Sequence, residues 1–107
     1  KVEDFGVGFY TKYGDGGVDI SPIADLMKSE VHSLASSLDI DKRILKAPPT
    51  DGLWDDDRTD EIQLGLSYSE LEEAMLNKES VNRSKYQKIR EQNLHKMHSI
   101  PVCKIPR

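Results

Sequence analysis

The chain has 107 residues, of which 36% are hydrophobic and 32% are charged, so it forms at most one small domain with a thin hydrophobic core. Its formal net charge of −4 argues against a general nucleic-acid-binding protein, because such proteins need a basic surface that displaces counterions from phosphates. No apolar run reaches the ~18 residues of a membrane span, and the single cysteine, Cys103, excludes an internal disulfide and favours a reducing compartment. We therefore expect a cytoplasmic protein that contacts neither nucleic acid nor membrane.

The first twenty residues are rich in glycine and are predicted to form a loop, with at most a short extended piece at residues 7–10. Glycine is needed where the backbone adopts a positive φ or approaches a ligand closely, so such a loop either shapes the surface or holds a charged ligand. Lys12, Asp19 and Lys28 surround the glycine-rich turn, although lone lysines are usually solvated surface residues. The sequence starts without methionine, and we expect it to be part of a longer chain.

An amphipathic helix is predicted over residues 23–38, because apolar residues recur there at steps of three and four. The pattern is compatible with two starting points. Ser21 followed by Pro22 is one helix-start signal, and Asp25 as the N-cap would place Lys28 in the first turn.

Residues 46–61 are predicted to form a long loop, since they contain two prolines, one glycine and six acidic residues with little periodicity. The simplest interpretation is a solvated surface loop. Loops rich in proline and glycine are also the segments that close over active sites, so the alternative is a lid over reacting phosphates.

Residues 67–97 are predicted to be mostly helical. Ser67 and Glu70 fit a capping box at the start of a short helix, and a distinctly basic helix follows over residues 81–95. The basic helix is either a solvated face or a wall that faces the pyrophosphate of a dinucleotide, and binding of nucleic acid would use the same charges. Residues 99–107 contain two prolines and are predicted to pack as extended chain. Three helices with almost no strand are too few for an independent α/β domain.

Several motifs together resemble the C-terminal part of the ammonia-dependent NAD synthetases. They are the run KVEDFGVGFYTKYGDGGVDISPIADLMKSEV, then PPTDGLW, DE-x-x-LG-x-SY, and HK near the end. The resemblance implies that residues 1–107 are the mostly helical C-terminal segment of one domain with an α/β, adenine-nucleotide α-hydrolase-like fold, which is Rossmann-like with a parallel sheet. The family's phosphate-binding loop, SGG-x-DS, is absent from this sequence. We therefore expect the chain to be inactive by itself.

The resemblance implies ATP-dependent amidation of deamido-NAD to NAD. The substrate carboxylate would form an acyl-adenylate with release of pyrophosphate, and ammonia would then displace AMP, with Mg²⁺ as the cofactor. The family works as a homodimer, so a second copy of the chain is the expected partner. Two alternatives stay open, namely the synthetase portion of a glutamine-dependent enzyme and a non-catalytic nucleotide-binding or dimerisation module. The uninterrupted TKYGDGG-x-D run favours the ammonia form.

Three residues match positions that bind ATP or its metal in the family. Glu3 falls where the family has a magnesium ligand, and its companion aspartate belongs to the absent phosphate loop. Lys28 and Thr50 match positions that contact ATP. Without the resemblance, Glu3 is a terminal acid and Thr50 simply ends a turn after two prolines.

Four residues match positions that contact deamido-NAD. Lys12 and Asp19 flank the YGDGG turn, where the lysine would supply positive charge and the aspartate would accept hydrogen bonds from hydroxyl groups. His95 and Lys96 match a pair that closes over the same ligand. The residue before this pair is Leu94, a departure that weakens this part of the match. The resemblance assigns no catalytic residue.

Overall fold

The computed structural model of the protein describes residues 2–14 and 17–107, so the centre of the YGDGG turn lies outside the described residues. The described part is helical and contains no β-strand, so the parallel sheet implied by the resemblance is not seen here. Its elements are α1 (Val2–Val7), α2 (Lys28–Ser37), α3 (Lys42–Leu45), α4 (Asp60–Leu64), α5 (Tyr68–Leu76), α6 (Arg83–Gln92) and a 3₁₀ turn (Leu94–Lys96).

The hydrophobic core is small and lies where α1, α5 and α6 pack together. The buried apolar residues of the described part are Val7, Leu66, Tyr68, Leu71, Ala74 and Tyr86. The radius of gyration is 16.2 Å, larger than the ~13 Å expected for an independent domain of about 100 residues. The thin core predicted from composition is therefore confirmed, and much apolar surface stays exposed.

Helix α1 corrects the prediction that residues 1–20 form a loop. Glu3, Gly6 and Val7 fall on one face of this helix and are buried against the core. Gly6 lets the helix approach α5, because a Cβ at this position would lie 2.9 Å from Cε of Met75. Periodicity could not reveal this helix, because two of its three buried positions are a glycine and a glutamate. From Gly8 to Met27 the described residues form turns and irregular chain.

Helix α2 begins at Lys28, later than either start predicted from the sequence. Residues 21–25 form turns instead, with the N–H of Ala24 bonded to the carbonyl of Ser21. No residue of α2 is buried in the described structure, although Val31, Leu34 and Leu38 follow the predicted amphipathic pattern.

The start of α2 is stabilised by carboxylates, two of them from distant parts of the chain. The N–H of Lys28 donates a 2.6 Å hydrogen bond to Oε1 of Glu3 in α1. The N–H of Ser29 donates a 2.8 Å bond to Oε1 of Glu72 in α5. Free N–H groups and the partial positive charge of a helix N-terminus favour such carboxylates. The N–H of the N-cap Met27 donates a further 2.8 Å bond to Oε2 of Glu30, so local and tertiary carboxylates together stabilise this helix start.

The predictions for the C-terminal helices are largely confirmed. Ser67 caps α5, and its N–H and the N–H of Glu70 form the reciprocal bonds of the predicted capping box. Helix α6 covers Arg83–Gln92, shorter than the predicted 81–95, because the backbone passes at Asn93 into the 3₁₀ turn. Residues 99–107, which were predicted to pack as extended chain, have no regular structure and are exposed, so the expectation that they pack is wrong.

The predicted loop over residues 46–61 is irregular from 48 to 59, and its end is helical. Asp60 and Glu61 open α4, whose N-cap Thr59 accepts a hydrogen bond from the N–H of Ile62. The loop prediction is therefore wrong for these two acidic residues, since a threonine cap and two acids in the first turn favour a helix start. No helix of the described residues is long and apolar enough to cross a membrane.

Candidate functional site

A large cavity of about 1050 Å³ lies between α1, the glycine-rich segment and the C-terminal turn. Three residues predicted to contact the same ligand line it, namely Lys12, Asp19 and Lys96. The side chain of His95 is exposed and does not line the cavity, although its backbone carbonyl takes part in the site. The structure thus brings together three of the four predicted dinucleotide contacts, from positions up to 84 residues apart in the chain.

Two hydrogen bonds of opposite direction hold the glycine-rich segment against the C-terminal turn. The ammonium of Lys12 donates to the carbonyl of His95 over 2.6 Å, and the ammonium of Lys96 donates to the carbonyl of Gly8 over 2.9 Å. Gly8 has a φ of 73°, and a Cβ there would lie 2.4 Å from Cβ of Asn93. Only glycine fits this close approach without a shift of the backbone. We call this pair of hydrogen bonds the lysine clasp.

Tyr10 adds a third hydrogen bond beside the lysine clasp, and it was not among the site residues predicted from the sequence. Its hydroxyl donates a 3.0 Å hydrogen bond to the carbonyl of Lys96, and its ring centre lies 5.9 Å from the Lys96 ammonium. The ring of Phe5 packs against it with centroids 5.0 Å apart. The only sequence signal was its place in the FYTK run, which does not distinguish a packing tyrosine from a ligand contact.

The large cavity combines positive charge with aromatic surface. Arg90 of α6 also lines it and donates a 2.9 Å hydrogen bond to the carbonyl of Gly6. Among the described residues, three cationic side chains therefore line this cavity, in a protein whose net charge is −4. Cations beside aromatic rings suit an anionic ligand that also carries planar rings, such as a nucleotide.

A second, small cavity of about 320 Å³ is lined by Lys28, Thr59 and Tyr68, among others. Thr50, the second predicted ATP contact, does not line it. The hydroxyl of Thr50 donates to the carbonyl of Arg58 over 3.2 Å and accepts the N–H of Gly52 over 3.1 Å. In this structure Thr50 therefore braces the loop, and the two predicted ATP contacts are not brought together.

Tyr68 lines the small cavity and contacts residues of two other helices. It was not among the site residues predicted from the sequence. Its buried hydroxyl lies 3.1 Å from Oδ2 of Asp60 in α4 and 3.3 Å from Oδ1 of Asp4 in α1. Burial, and then the two carboxylates, raise the pKa of this hydroxyl, so it stays protonated and donates. The ammonium of Lys28 lies 5.3 Å from the centre of its ring. In the sequence, Tyr68 belongs to the DE-x-x-LG-x-SY motif and to a helix-cap signal, and neither assigns it a contact with a ligand.

Glu3 is fully buried and lines neither of the two cavities. Its Oε1 accepts the N–H of Lys28, while its Oε2 is buried without a hydrogen-bond partner in the described structure. Burial raises the pKa of Glu3, and the neighbouring carboxyl of Glu72 raises it further, against the lowering effect of the Lys28 N–H. Partial burial raises the pKa of Glu72, whereas hydrogen bonds from the backbone N–H and the hydroxyl of Ser29 lower it. The net effect is a lowered pKa.

The free oxygen of Glu3 suits one ligand of a magnesium ion. Magnesium prefers carboxylate oxygens, and a buried oxygen without a partner is available for such a bond. Within residues 2–14 and 17–107, however, no three His, Cys, Asp or Glu side chains are grouped so that they could hold a metal. The described residues therefore fit one ligand of the ion and not a complete metal centre.

Comparison with known proteins gives a family match over nearly the whole chain. The profile of the NAD synthase family matches residues 1–105. The NH(3)-dependent NAD(+) synthetase of Archaeoglobus fulgidus is 42% identical over 105 residues, which cover 92% of this chain and 42% of that protein. The NH(3)-dependent NAD(+) synthetase of Mycoplasmopsis pulmonis is 40% identical over 106 residues, which cover 99% of this chain and 40% of that protein.

A solved structure has the same arrangement of helices. The NMN synthetase of Francisella tularensis superimposes with a TM-score of 0.83 and 30% sequence identity, over 98% of this chain and 44% of that one. This chain therefore spans about two fifths of the length of the relatives that it matches.

Proposed function

The chain belongs to the NAD synthase family, and on this basis we propose that it forms the substrate-binding part of an enzyme that amidates deamido-NAD to NAD with ammonia and ATP. The observation that carries the proposal is the convergence of Lys12, Asp19 and Lys96 on one large cavity. The motifs that resemble the family assign these three residues to the same ligand, independently of their positions in space.

The chemistry explains why such a site needs fixed positive charge. A carboxylate is a poor acceptor for a nitrogen nucleophile, so one of its oxygens first bonds to the α-phosphorus of ATP and pyrophosphate leaves. Ammonia then bonds to the acyl carbon, AMP leaves with that oxygen, and the amide remains after loss of a proton. Charge develops on phosphoryl oxygens during the first step, and fixed cations stabilise it. Glu3 would be one ligand of the Mg²⁺ ion, which when bound would neutralise part of this charge.

The residues of this chain have separate tasks in the proposal. Lys12 and Lys96 bind the anionic groups of deamido-NAD, and Asp19 accepts hydrogen bonds from its hydroxyl groups. Lys28, at the small cavity, meets the phosphates of ATP. In this structure the ammonium groups of Lys12 and Lys96 donate to backbone carbonyls. An incoming phosphate would therefore share or replace these bonds.

The remaining parts of the reaction belong outside this chain. The chain spans only about two fifths of its relatives, and the SGG-x-DS phosphate loop is absent from it. We propose that a complete enzyme combines this segment with such a loop, works as a homodimer and acts in the cytoplasm. His95 and Thr50 remain candidate contacts for deamido-NAD and ATP, respectively, in that assembly.

A second candidate substrate is the mononucleotide. The solved structure with a TM-score of 0.83 is called an NMN synthetase, and that similarity favours testing nicotinate mononucleotide beside deamido-NAD. The same cations would bind either substrate, because both carry phosphate. The two differ in the adenylate half, which only the dinucleotide would place in the remaining space of the 1050 Å³ cavity.

The test is a product assay on the full-length protein that contains these residues. ATP, ammonium, Mg²⁺ and either deamido-NAD or nicotinate mononucleotide are supplied, and NAD or NMN, AMP and pyrophosphate are quantified. The proposal predicts NAD with one AMP and one pyrophosphate per turnover. Formation of NMN alone would favour the second candidate. Failure to form any amide, by a protein that is folded and binds ATP, would overturn both.

A further inference from the structure

We propose that Tyr68 is a positioning residue that holds the ammonium of Lys28 in place for ATP. The inference rests on the proposed function, because it uses Lys28 as a contact of ATP. Tyr68 is the last residue of the DE-x-x-LG-x-SY motif, but the resemblance assigns it no role, and its place in the structure is the first residue of a capped helix.

The contact between the two side chains is the first argument. The ammonium of Lys28 lies 5.3 Å from the centre of the Tyr68 ring, and both residues line the small cavity. The ammonium of Lys28 makes no hydrogen bond or ion pair with the described residues, since only its backbone N–H is engaged, by Glu3. The face of an aromatic ring attracts a cation at this distance. The ring is therefore the contact that orients the flexible lysine side chain.

The rigidity of the ring is the second argument. Tyr68 is only 5% exposed, and its hydroxyl is held by Asp4 and Asp60 at the far end of the side chain. At the near end, its backbone N–H donates a 2.9 Å bond to Oε1 of Glu61. A lysine has a long, flexible side chain and gains most from a support that does not itself move. Tyr68 provides such a support and links it to α1 and α4.

The chemistry of the cavity gives the third argument. Before ATP arrives, an ammonium resting on a neutral ring keeps its charge and its three N–H donors available for phosphate oxygens. A carboxylate in the same place would neutralise the lysine and compete with ATP. Because the pKa of the Tyr68 hydroxyl is raised, the hydroxyl remains protonated beside the carboxylates of Asp4 and Asp60, and the ring that Lys28 contacts stays neutral.

The experiment is a double-mutant cycle on ATP affinity in the full-length protein, with Tyr68→Leu, Lys28→Ala and the combined variant. Isothermal titration calorimetry with ATP and Mg²⁺ gives the dissociation constants, and NAD formation is measured separately. We expect Tyr68→Leu to weaken ATP binding about three- to tenfold, with deamido-NAD affinity changed less. In the Lys28→Ala background the same substitution should have an effect of less than about 1.5-fold, because its target is already gone.

Two further variants separate positioning from support of the fold. Tyr68→Phe keeps the ring and should retain ATP affinity within about twofold, although loss of the hydroxyl lowers thermal stability. Leu71→Val, a buried substitution in the same helix that lines neither cavity, should lower stability without changing ATP affinity.

Three results would overturn the inference. They are an equal effect of Tyr68→Leu with and without Lys28, an equal loss of affinity for ATP and deamido-NAD, and unchanged ATP affinity in Lys28→Ala. None of these three results bears on the proposed reaction, because NAD formation by the wild-type protein tests that reaction independently. Conversely, a wild-type protein that forms no NAD while the cycle behaves as expected would overturn the reaction and leave the role of Tyr68 standing.

Discussion

Lys12 and His95 lie 83 residues apart in the sequence, yet the Lys12 ammonium donates a 2.6 Å hydrogen bond to the backbone carbonyl of His95. Together with the bond from Lys96 to Gly8, it ties both edges of the large cavity to each other. The lysines proposed to bind deamido-NAD therefore also hold the walls of the cavity together. Substitution of either lysine should consequently affect both ligand binding and stability.

Lys96→Ala is expected to weaken the affinity for deamido-NAD by roughly ten- to a hundredfold, because charge-assisted contacts are worth about 1.5 to 3 kcal/mol. The affinity for ATP should change far less. Titration of the full-length variant with deamido-NAD at fixed ATP measures the effect. Lys104→Ala, which removes a lysine from the exposed tail, is the matched control. A wild-type titration curve for Lys96→Ala would remove this residue from the site.

The loop over residues 48–59 is expected to become ordered when ATP binds. Trp54, the only tryptophan of the chain, is 53% exposed, and the guanidinium of Arg58 lies 4.3 Å from the centre of its ring. Closure over the phosphates would shield the indole from water. On addition of ATP and Mg²⁺ to the full-length protein, the part of the tryptophan fluorescence that Trp54→Phe removes should therefore shift to the blue. Cleavage by trypsin after Arg58 should slow in parallel.

Two outcomes would contradict this role of the loop. Cleavage after Arg58 at the same rate with and without ATP would leave the loop as a solvated surface segment. A fluorescence shift caused equally by deamido-NAD alone would mean that the loop responds to the other substrate. Cleavage within residues 99–107, an exposed segment distant in sequence from the loop, serves as the internal control.

Ser67→Ala is expected to lower the free energy of unfolding by about 1 kcal/mol, since the Ser67 hydroxyl caps α5. Urea denaturation measures the change. Ser99→Ala, in the exposed tail, should leave the midpoint unchanged. Equal stability of Ser67→Ala and wild type would show that the core contacts of α5 hold the helix without its cap.

The capping box should also make stability depend on pH in the acid range. Hydrogen bonds from the Ser67 N–H, and then its hydroxyl, hold the pKa of Glu70 below the ordinary value of 4.5. A lowered carboxyl pKa means that this contribution is present above pH 4.5 and is lost as the pH falls through the folded-state pKa. The stability difference between wild type and Glu70→Gln should therefore shrink as the pH is lowered from about 7 to about 3. A difference that is constant with pH would exclude a titrating cap.

The 107-residue chain alone is expected to form no NAD from ATP, deamido-NAD and ammonium. The phosphate loop and the second magnesium ligand that the family resemblance implies are absent from it. Quantification of AMP and NAD after long incubation tests this expectation, with the full-length protein as the positive control. Amide formation by the chain alone would show that these residues contain a complete site.

The sequence alone was sufficient to predict elements that are stabilised by interactions between residues close together in the chain. The capping box of α5 was predicted because Ser67 and Glu70 are only three residues apart and satisfy each other's backbone groups. The apolar spacing of α2 was also recognisable, but its start at Lys28 was not. Besides the local bond from the Met27 N–H to Glu30, that start is stabilised by Glu3 and Glu72, which lie 25 and 43 residues away from the residues whose N–H groups donate to them.

The candidate site likewise combines residues that the sequence indicated with contacts that only the structure revealed. The motifs by themselves indicated Lys12, Asp19, Lys28 and Lys96 as candidate contacts, since a long, specific run of residues carries a family resemblance without any coordinates. Only the tertiary structure showed the hydrogen bond from Lys96 to the Gly8 carbonyl and the contact between the Lys28 ammonium and the buried ring of Tyr68. These are contacts between segments distant in the chain, and no spacing in a sequence encodes which segments meet. Packing of α1 against α5 and α6 decides them, because burial of that thin core fixes the relative positions of the segments.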